Sequence, residues 1–271
     1  MPPTIWPPWA VMWALAVATY VVCKWLTWQR TRDLQTSAWR HLAYLLAWPG
    51  LDARAFLDPH PLPSDRRPTA GEWAFAIGKL ALGIALLWWV VPLMPTHQPL
   101  LRGWVGMAGL VFLLHFGSFH LLSCAWRAAG VDAKPLMNWP ILAGSLSEFW
   151  GRRWNTAFRD LAHRFLFSPL AGWLGPHAGL AAGFLFSGVV HDLVISVPAG
   201  SGYGGPTLYF ILQGIGLLAE RSRAGRTLGL GRGWTGRAFA AVVVVGPVYG
   251  LFHPPFVFNV VLPLLDAIGA G

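Results

Sequence analysis

Long apolar runs are the feature that most constrains the fold of this chain. Four of them, near residues 10–28, 72–94, 103–126 and 179–197, have about the 20-residue length that an α-helix needs to cross a bilayer. Hydrophobic residues make up 55% of the sequence and charged residues only 11%, whereas about a quarter of the residues in a soluble domain are charged. The pattern predicts an all-α integral membrane protein with a single membrane-embedded domain over residues 1–271.

Shorter apolar pieces follow near residues 165–174, 207–219, 238–252 and 256–268. They bring the prediction to about six to eight transmembrane helices in one bundle. No basic segment precedes the first apolar run and no small-residue cleavage pattern follows it, so we interpret it as a retained span rather than a signal peptide.

The cations are clustered along the chain. Residues 24–67, 127–164 and 221–237 contain 18 of the 20 Lys and Arg residues. Because Lys and Arg mark cytoplasmic loops, this distribution predicts that all three segments face the cytoplasm. The absence of an organelle-type transit segment is compatible with a bacterial inner membrane. The net charge of +9 is therefore attributed to membrane orientation, and no basic run is long enough to predict a nucleic-acid partner.

Residues 145–155, SLSEFWGRRWN, combine a helix start with aromatic and charged side chains. Ser145 and Glu148 have the spacing of a capping box, so a helix is predicted to begin there. Aromatic residues and Leu161 then recur every three or four positions up to Phe165, which predicts an amphipathic helix at the membrane interface. A simple anchor would pair Glu148 with Arg152, but it would not explain Asn155 among aromatic residues.

His191 lies well inside an apolar run, FSGVVHD being its local sequence. An ionisable side chain at such a position suggests a function, although a histidine bonded to Ser187 one turn earlier is an equally good interpretation. Asp192 is adjacent on the same helix and cannot face His191, so the two are not predicted to form a dyad. His115 and His120 are further intramembrane histidines, read mainly as interior polar groups.

Several other chemistries lack their motifs. The nine histidines show neither the clusters of membrane di-iron enzymes nor an HExxH zinc motif, so no metal is predicted. Cys23 and Cys124 have no metal-type spacing and are expected to be buried thiols. The glycine-rich segment 199–206 lacks a Walker lysine and is interpreted as a flexible loop.

The strings FWGRRWN and FSGVVHD, with SLSE before the first, together resemble the wax synthase branch of the membrane-bound O-acyltransferase superfamily. The sequence that precedes the motif, with Trp126-Arg127 and Pro135-Leu136-Met137, is similar to that branch as well, so the resemblance covers roughly residues 121–192. It implies an all-helical enzyme that moves a fatty acyl group from acyl-CoA to an alcohol. The chain is short for that superfamily.

The resemblance also implies a site in which Asn155 and His191 face a chamber within the membrane. A neutral imidazole suits general-base activation of a hydroxyl, and an amide can stabilise an oxyanion or hold the substrate, so His191 and Asn155 are the expected catalytic residues. The expected substrate-binding residues are Glu148, Trp150, Arg152, Arg153, Trp154, Ser187 and His120. Arg152, Arg153, Arg159 and Arg164 are candidates to meet the phosphates of CoA. No cofactor beyond this acyl donor is expected.

A non-catalytic alternative remains open at this point. A small carrier or proton relay could use His191 and Asp192, with His115 and His120, as titrating groups within the membrane. That hypothesis leaves residues 149–155 unexplained, and no inverted repeat of the kind found in many carriers is visible in the sequence.

Overall fold

A computed structural model of the chain describes residues 6–162, 165, 172–173 and 175–271, and these ranges contain helices and no strands. The helices of the first half are α1 Pro8–Gln29, α2 Ala38–Ala47, α3 Ala53–Leu57, α4 Ala70–Ala85 continued to Leu93, and α5 Pro99–Val111 continued to Ala128. Those that follow are α6 Leu146–Glu148 continued by a π-helical turn Phe149–Arg153, α7 Thr156–Ala162, α8 Pro176–Ala199, α9 Gly205–Arg221, α10 Arg223–Thr227, α11 Gly233–Val245, α12 Val248–Leu251, and α13 Pro254–Phe256 continued to Ala267. Two 3₁₀ turns lie at Ser64–Arg66 and Pro140–Leu142.

Five helical segments in the described ranges are long and apolar enough to cross a membrane: Pro8–Gln29, Ser64–Leu93, Pro99–Ala128, Pro176–Ala199 and Gly233–Leu251. The prediction of an all-α multi-pass membrane protein is therefore confirmed. Five is below the expected six to eight. The helix Gly205–Arg221 has 17 residues and the apolar helix Pro254–Ala267 is shorter still, while the apolar piece near residues 165–174 lies mostly outside the described residues.

The chain divides into two compact units. One comprises residues 1–17 and 138–268, and the other comprises residues 18–137 and 269–271. The motif FWGRRWN and His191 both lie in the first of these, which we call the motif unit. The second, the amino-proximal unit, contains His120.

Helix α9 is central to the motif unit because one of its faces is almost wholly buried. Tyr209, Phe210, Gln213, Leu217 and Glu220 lie on that face at spacings of three and four residues. Two glycines let other helices approach it closely. A Cβ at Gly188 of α8 would lie 2.7 Å from Thr207 Cα, and one at Gly216 of α9 would lie 2.9 Å from Leu146 Cδ2.

The periodicity predicted one continuous helix from Ser145 to Phe165, but the helix that carries the motif ends before Asn155. Trp154 leaves the helix with φ −102° and ψ 126°, and Asn155 has a left-handed φ of 38°. A second helix, α7, begins at Thr156. Asn tolerates positive φ better than most residues, so the last residue of the motif marks a break between two helices.

Candidate active site

The motif helix α6 begins with the predicted capping box. Ser145 Oγ accepts a hydrogen bond of 3.0 Å from the backbone N–H of Glu148, as expected. Glu148 reaches back one residue further than a capping box requires, because its Oε2 accepts from Gly144 N at 2.7 Å. Both ends of the first turn are therefore fixed by side chains.

Glu148 pairs with Arg153 rather than with Arg152, so the expected i, i+4 pair is wrong. The π-helical turn bonds Trp154 N to Phe149 O at 2.9 Å, and in this geometry residues five apart lie above one another. Arg153 Nε and Nη2 donate to Glu148 Oε1 at 2.7 and 2.6 Å. The Gly144 amide and then the Arg153 guanidinium hold the pKa of Glu148 below its ordinary value.

The two neighbouring arginines consequently have different environments. Arg153 Nη1 donates to the carbonyls of Asn138 and Trp139 at 3.2 and 3.1 Å, so this guanidinium ties the preceding loop to the motif helix. Arg152 is exposed. Of the two, Arg152 is the better candidate for contact with a phosphate. Arg164 and the side chain of Arg159 lie outside the described residues.

Glu220 of α9 holds the amino end of the motif helix. Its carboxylate accepts from Leu146 N at 2.6 Å and from Ser147 N at 3.1 Å, and the residue is only 5% exposed. A carboxylate at this end satisfies backbone N–H groups that have no partner within the helix and complements the helix dipole.

Trp150 is held by the same helix. Its indole Nε1–H donates to Gln213 Oε1 at 3.2 Å, and Gln213 Nε2 donates in turn to Val243 O at 2.7 Å. The ring of Trp150 also contacts Phe184 and Phe210, with centroids 5.6 and 5.8 Å away. Trp150 is therefore enclosed by α8 and α9, whereas Trp154 stacks on Phe149 with 5.7 Å between ring centroids.

His191 has a defined tautomer in its neutral form. Its Nδ1 lies 2.7 Å from the backbone carbonyl oxygen of Ser187, which can only accept a hydrogen bond, so Nδ1 carries the proton. Nε2 is then the unprotonated nitrogen of the neutral ring. The expected bond to Ser187 is present, through its carbonyl. The imidazole packs on Phe210 with 4.4 Å between ring centroids, so one phenyl ring contacts both His191 and Trp150.

Asp192 points away from this arrangement of rings into a network of its own. It accepts from Ser196 Oγ at 2.7 Å, from Gly204 N at 3.0 Å and from Thr207 N at 3.1 Å, as well as from the Thr207 hydroxyl. It forms no dyad with His191 in the described structure, as predicted. A carboxylate with these donors anchors the start of α9 and is poorly suited to carry protons.

The glycine-rich loop between α8 and α9 is held at several points, contrary to the interpretation of a flexible loop. Besides the bond from Gly204 to Asp192, Ser196 Oγ lies 3.3 Å from Gly202 O and 3.2 Å from His253 Nε2. Gly202 has φ +78°, and a Cβ there would overlap the His253 ring. The loop therefore requires glycine at this position.

Asn155 combines a structural role with its position at the helix break. Its Oδ1 accepts from Phe158 N at 3.3 Å, which caps helix α7. The amide NH₂ group is the donor side of the same side chain. The sequence indicated that an Asn among aromatic residues requires hydrogen bonds, and the bond from Phe158 N is one of them.

His120 belongs to the amino-proximal unit and lies in a separate polar network. Its Nε2 is 2.9 Å from Glu72 Oε1, and Lys79 Nζ is 2.6 Å from its Nδ1. Glu72, His120 and Cys124 have ligand atoms within 4.8 Å of one another, a grouping that could hold a metal ion. Arg127 donates to both Glu72 and Cys124, so two of these three side chains already bind a guanidinium cation.

Sequence reasoning missed Gln213 and Glu220, which hold the motif in place. The available signal was their position. Each is a polar residue inside the apolar segment near residues 207–219 or at its end, where a polar side chain needs a buried partner. Their partners in the motif helix lie more than 60 residues away in sequence, and periodicity within one helix cannot identify them.

Comparison with known proteins finds a matching family model and several similar proteins. Residues 133–212 match the model of the membrane bound O-acyl transferase family. A protein of Arabidopsis thaliana named probable long-chain-alcohol O-fatty-acyltransferase 9 is 33% identical over 147 residues, covering 48% of this chain and 42% of that protein. Probable long-chain-alcohol O-fatty-acyltransferase 3 is 36% identical, covering 40% of this chain and 37% of that protein.

A third similar protein from Arabidopsis thaliana is named acyl-CoA–sterol O-acyltransferase 1. It is 38% identical over 71 residues, which cover 24% of this chain and 21% of that protein. The chain thus spans about two-fifths of the length of the first two relatives. The region that matches the family model includes the motif, His191 and the first half of α9, so residues 133–212 are similar to membrane bound O-acyl transferases, in agreement with the resemblance to the wax synthase branch.

Proposed function

We propose that this protein transfers a fatty acyl group from acyl-CoA to the hydroxyl of an alcohol, with His191 as the general base. The observation that carries the proposal is the bond from His191 Nδ1 to the Ser187 carbonyl, because it leaves Nε2 as the basic nitrogen of a neutral imidazole. Three relatives named as acyltransferases of long-chain alcohols or a sterol support the reaction class.

The reaction needs no covalent enzyme intermediate. Nε2 takes the proton of the alcohol as its oxygen attacks the thioester carbonyl, and a C–O bond forms. The tetrahedral intermediate then collapses with cleavage of the C–S bond. The thiolate of CoA leaves and takes up the proton from the imidazolium, so the products are an ester and free CoA.

Asn155 and Arg152 receive supporting roles in this proposal. The NH₂ group of Asn155 donates to the developing oxyanion while Oδ1 remains on the Phe158 amide. Arg152 is exposed and meets a phosphate of the acyl donor. We expect no cofactor besides acyl-CoA and no catalytic metal.

The protein would act within a bilayer, with its basic loops on the cytoplasmic side. The expectation of a bacterial inner membrane has no support from the relatives, which are plant proteins. The protein would function as one membrane-embedded domain. Its acceptor belongs to the long-chain alcohols or sterols by analogy with the relatives.

The test of the reaction class uses protein purified in detergent, radiolabelled palmitoyl-CoA and separate reactions with ethanol, hexadecanol and a sterol. Radiolabelled ester with at least one acceptor, accompanied by stoichiometric free CoA, supports acyl transfer. Release of CoA with palmitate but no ester in any reaction would replace it with hydrolysis. Absence of both ester and CoA release from folded protein that binds palmitoyl-CoA would contradict the proposal.

The role of Asn155 is tested with Asn155→Asp. Asp retains an oxygen that can cap helix α7 and tolerates positive φ, but it replaces the donating NH₂ with a second oxygen. We expect kcat to fall by about two to three powers of ten while the melting temperature is little changed. A kcat equal to that of the wild type would remove Asn155 from the mechanism and leave it with the helix cap.

A further inference from the structure

We propose that Gln213, on a helix outside the two recognition strings, is a positioning residue that aligns Trp150 of the motif with His191. The inference rests on the proposed acyl transfer and extends it to a third helix of the site. Nothing in the motif sequences assigns a role to this glutamine.

The orientation of the Gln213 amide is fixed by its two partners. Nε2 donates to the Val243 carbonyl at 2.7 Å, and that oxygen cannot donate. Oε1 must therefore be the atom 3.2 Å from Trp150 Nε1, and an indole N–H can only donate. Gln213 is fully buried, with 0% of its surface exposed, so both bonds are made away from water. A glutamine with both ends defined in this way holds the indole at one angle.

The angle of the indole matters because a single ring, Phe210, contacts both Trp150 and the His191 imidazole. Phe210, three residues before Gln213, lies against the His191 ring at 4.4 Å between centroids and against Trp150 at 5.8 Å. Trp150 also meets Phe184 of α8 nearly edge to face, at 5.6 Å and 85°. Rotation of the indole would displace rings that touch His191 or belong to its helix, so Gln213 acts on the base through Trp150.

Helix α9 holds the motif helix at two points, its start and its middle. Glu220 binds the first two amides of the motif helix, and Gln213 binds Trp150 one turn further along. Leu217 lies between them on the same buried face, in a core with Leu146 and Ala240. The three side chains at positions 213, 217 and 220 thus form one stripe that sets how the motif helix meets α8.

The test compares Gln213→Leu with Tyr209→Phe. Tyr209 precedes Gln213 by one turn and donates from its hydroxyl to Val244 O at 3.1 Å, so its substitution also removes one bond from α9 to the segment that includes Val243. Tyr209→Phe touches neither Trp150 nor the motif among the described contacts, and it keeps the ring that packs on Phe210. It is therefore a matched control for the loss of a bond between helices.

We expect Gln213→Leu to lower kcat for ester formation by about tenfold to a hundredfold, because small misplacements of catalytic groups have effects of that size. KM for palmitoyl-CoA should stay within about twofold of the wild-type value, since the change affects alignment rather than ground-state binding. Tyr209→Phe should keep both constants within about twofold of wild type.

Trp150→Phe removes the same hydrogen bond from the other side and provides a second route if Gln213→Leu fails to fold. If Gln213 acts through Trp150, the double variant should be no slower than the slower single variant. A wild-type kcat in both single variants, multiplicative losses in the double variant, or an equal loss in Tyr209→Phe would overturn the inference. Absence of ester from the wild type would instead defeat the proposed function, and the positioning role would fall with it.

Discussion

Glu220→Gln provides a quantitative test of how the motif helix is anchored. The Glu220 carboxylate accepts from Leu146 N at 2.6 Å and from Ser147 N at 3.1 Å. Hydrogen bonds to a charged group contribute about 1.5–3 kcal/mol each and neutral bonds about 0.5–1.5 kcal/mol. Replacing the carboxylate by an amide removes the charge and leaves one acceptor oxygen for the two backbone amides, so one bond weakens by about 1 kcal/mol and the other, which contributes about 1.5–3 kcal/mol, is lost. The free energy of unfolding should therefore fall by about 3 kcal/mol.

The assay is thermal unfolding of purified protein in detergent, followed by circular dichroism at 222 nm. For a domain of this size a loss of about 3 kcal/mol corresponds to a decrease of about 6–12 °C in melting temperature. The matched control is Arg221→Gln, because Arg221 is the next residue, is exposed, and donates only to the Ser147 hydroxyl at 3.2 Å in the described structure. Exposed substitutions of this kind change stability by about 0.5 kcal/mol or less.

Equal melting temperatures for the wild type and Glu220→Gln would refute this reasoning, because they would mean that the two amides do not depend on the charge. A decrease in Arg221→Gln as large as that in Glu220→Gln would refute it as well. The effect would then follow from the loss of any side-chain contact at this end of α9 rather than from the two buried bonds.

Three further predictions concern the motif and its packing. Gly188→Ala should destabilise the protein by about 1–3 kcal/mol in the same thermal assay, since its Cβ would overlap the backbone of α9, whereas Gly183→Ala on the same helix meets open space and should be neutral. Arg153→Lys should lower the melting temperature, because one ammonium cannot make all the hydrogen bonds that the Arg153 guanidinium makes to Glu148 and to the preceding loop. Arg152→Lys should alter only KM for acyl-CoA. The pKa of Glu148 is lowered, so the carboxylate stabilises the folded protein fully above the ordinary Glu pKa, and this contribution is lost as pH falls through the lowered value. The difference in melting temperature between wild type and Glu148→Gln should therefore vanish in acid. A difference that stays constant with pH would contradict this.

Local sequence patterns predicted the elements of this site, and long-range contacts decided how they are arranged. The capping box at Ser145 and the bond between His191 and Ser187 involve residues three or four apart, so helical spacing was enough to find them. The pairing of Glu148 with Arg153 was missed because it depends on a π-helical turn, which ordinary helical periodicity does not reveal.

The break at Asn155 and the role of α9 could not be obtained from periodicity either. Aromatic residues continue at helical spacing through the break, and only the backbone shows the left-handed φ of Asn155. In the sequence, the segment that forms α9 is a short apolar piece to which no role was assigned. Its importance arises from tertiary contacts of Phe210, Gln213 and Glu220 with residues far away in sequence.

The measurement that tests the account most directly is the rate of ester formation from radiolabelled palmitoyl-CoA by wild type, His191→Ala and His115→Ala. His115 is also an intramembrane histidine, but it lies in the amino-proximal unit and has no part in the proposed mechanism. We expect His191→Ala to lose at least about two powers of ten in kcat with palmitoyl-CoA binding and melting temperature preserved, while His115→Ala retains the wild-type rate. Ester formation by His191→Ala at the wild-type rate would contradict the central claim that this imidazole is the base.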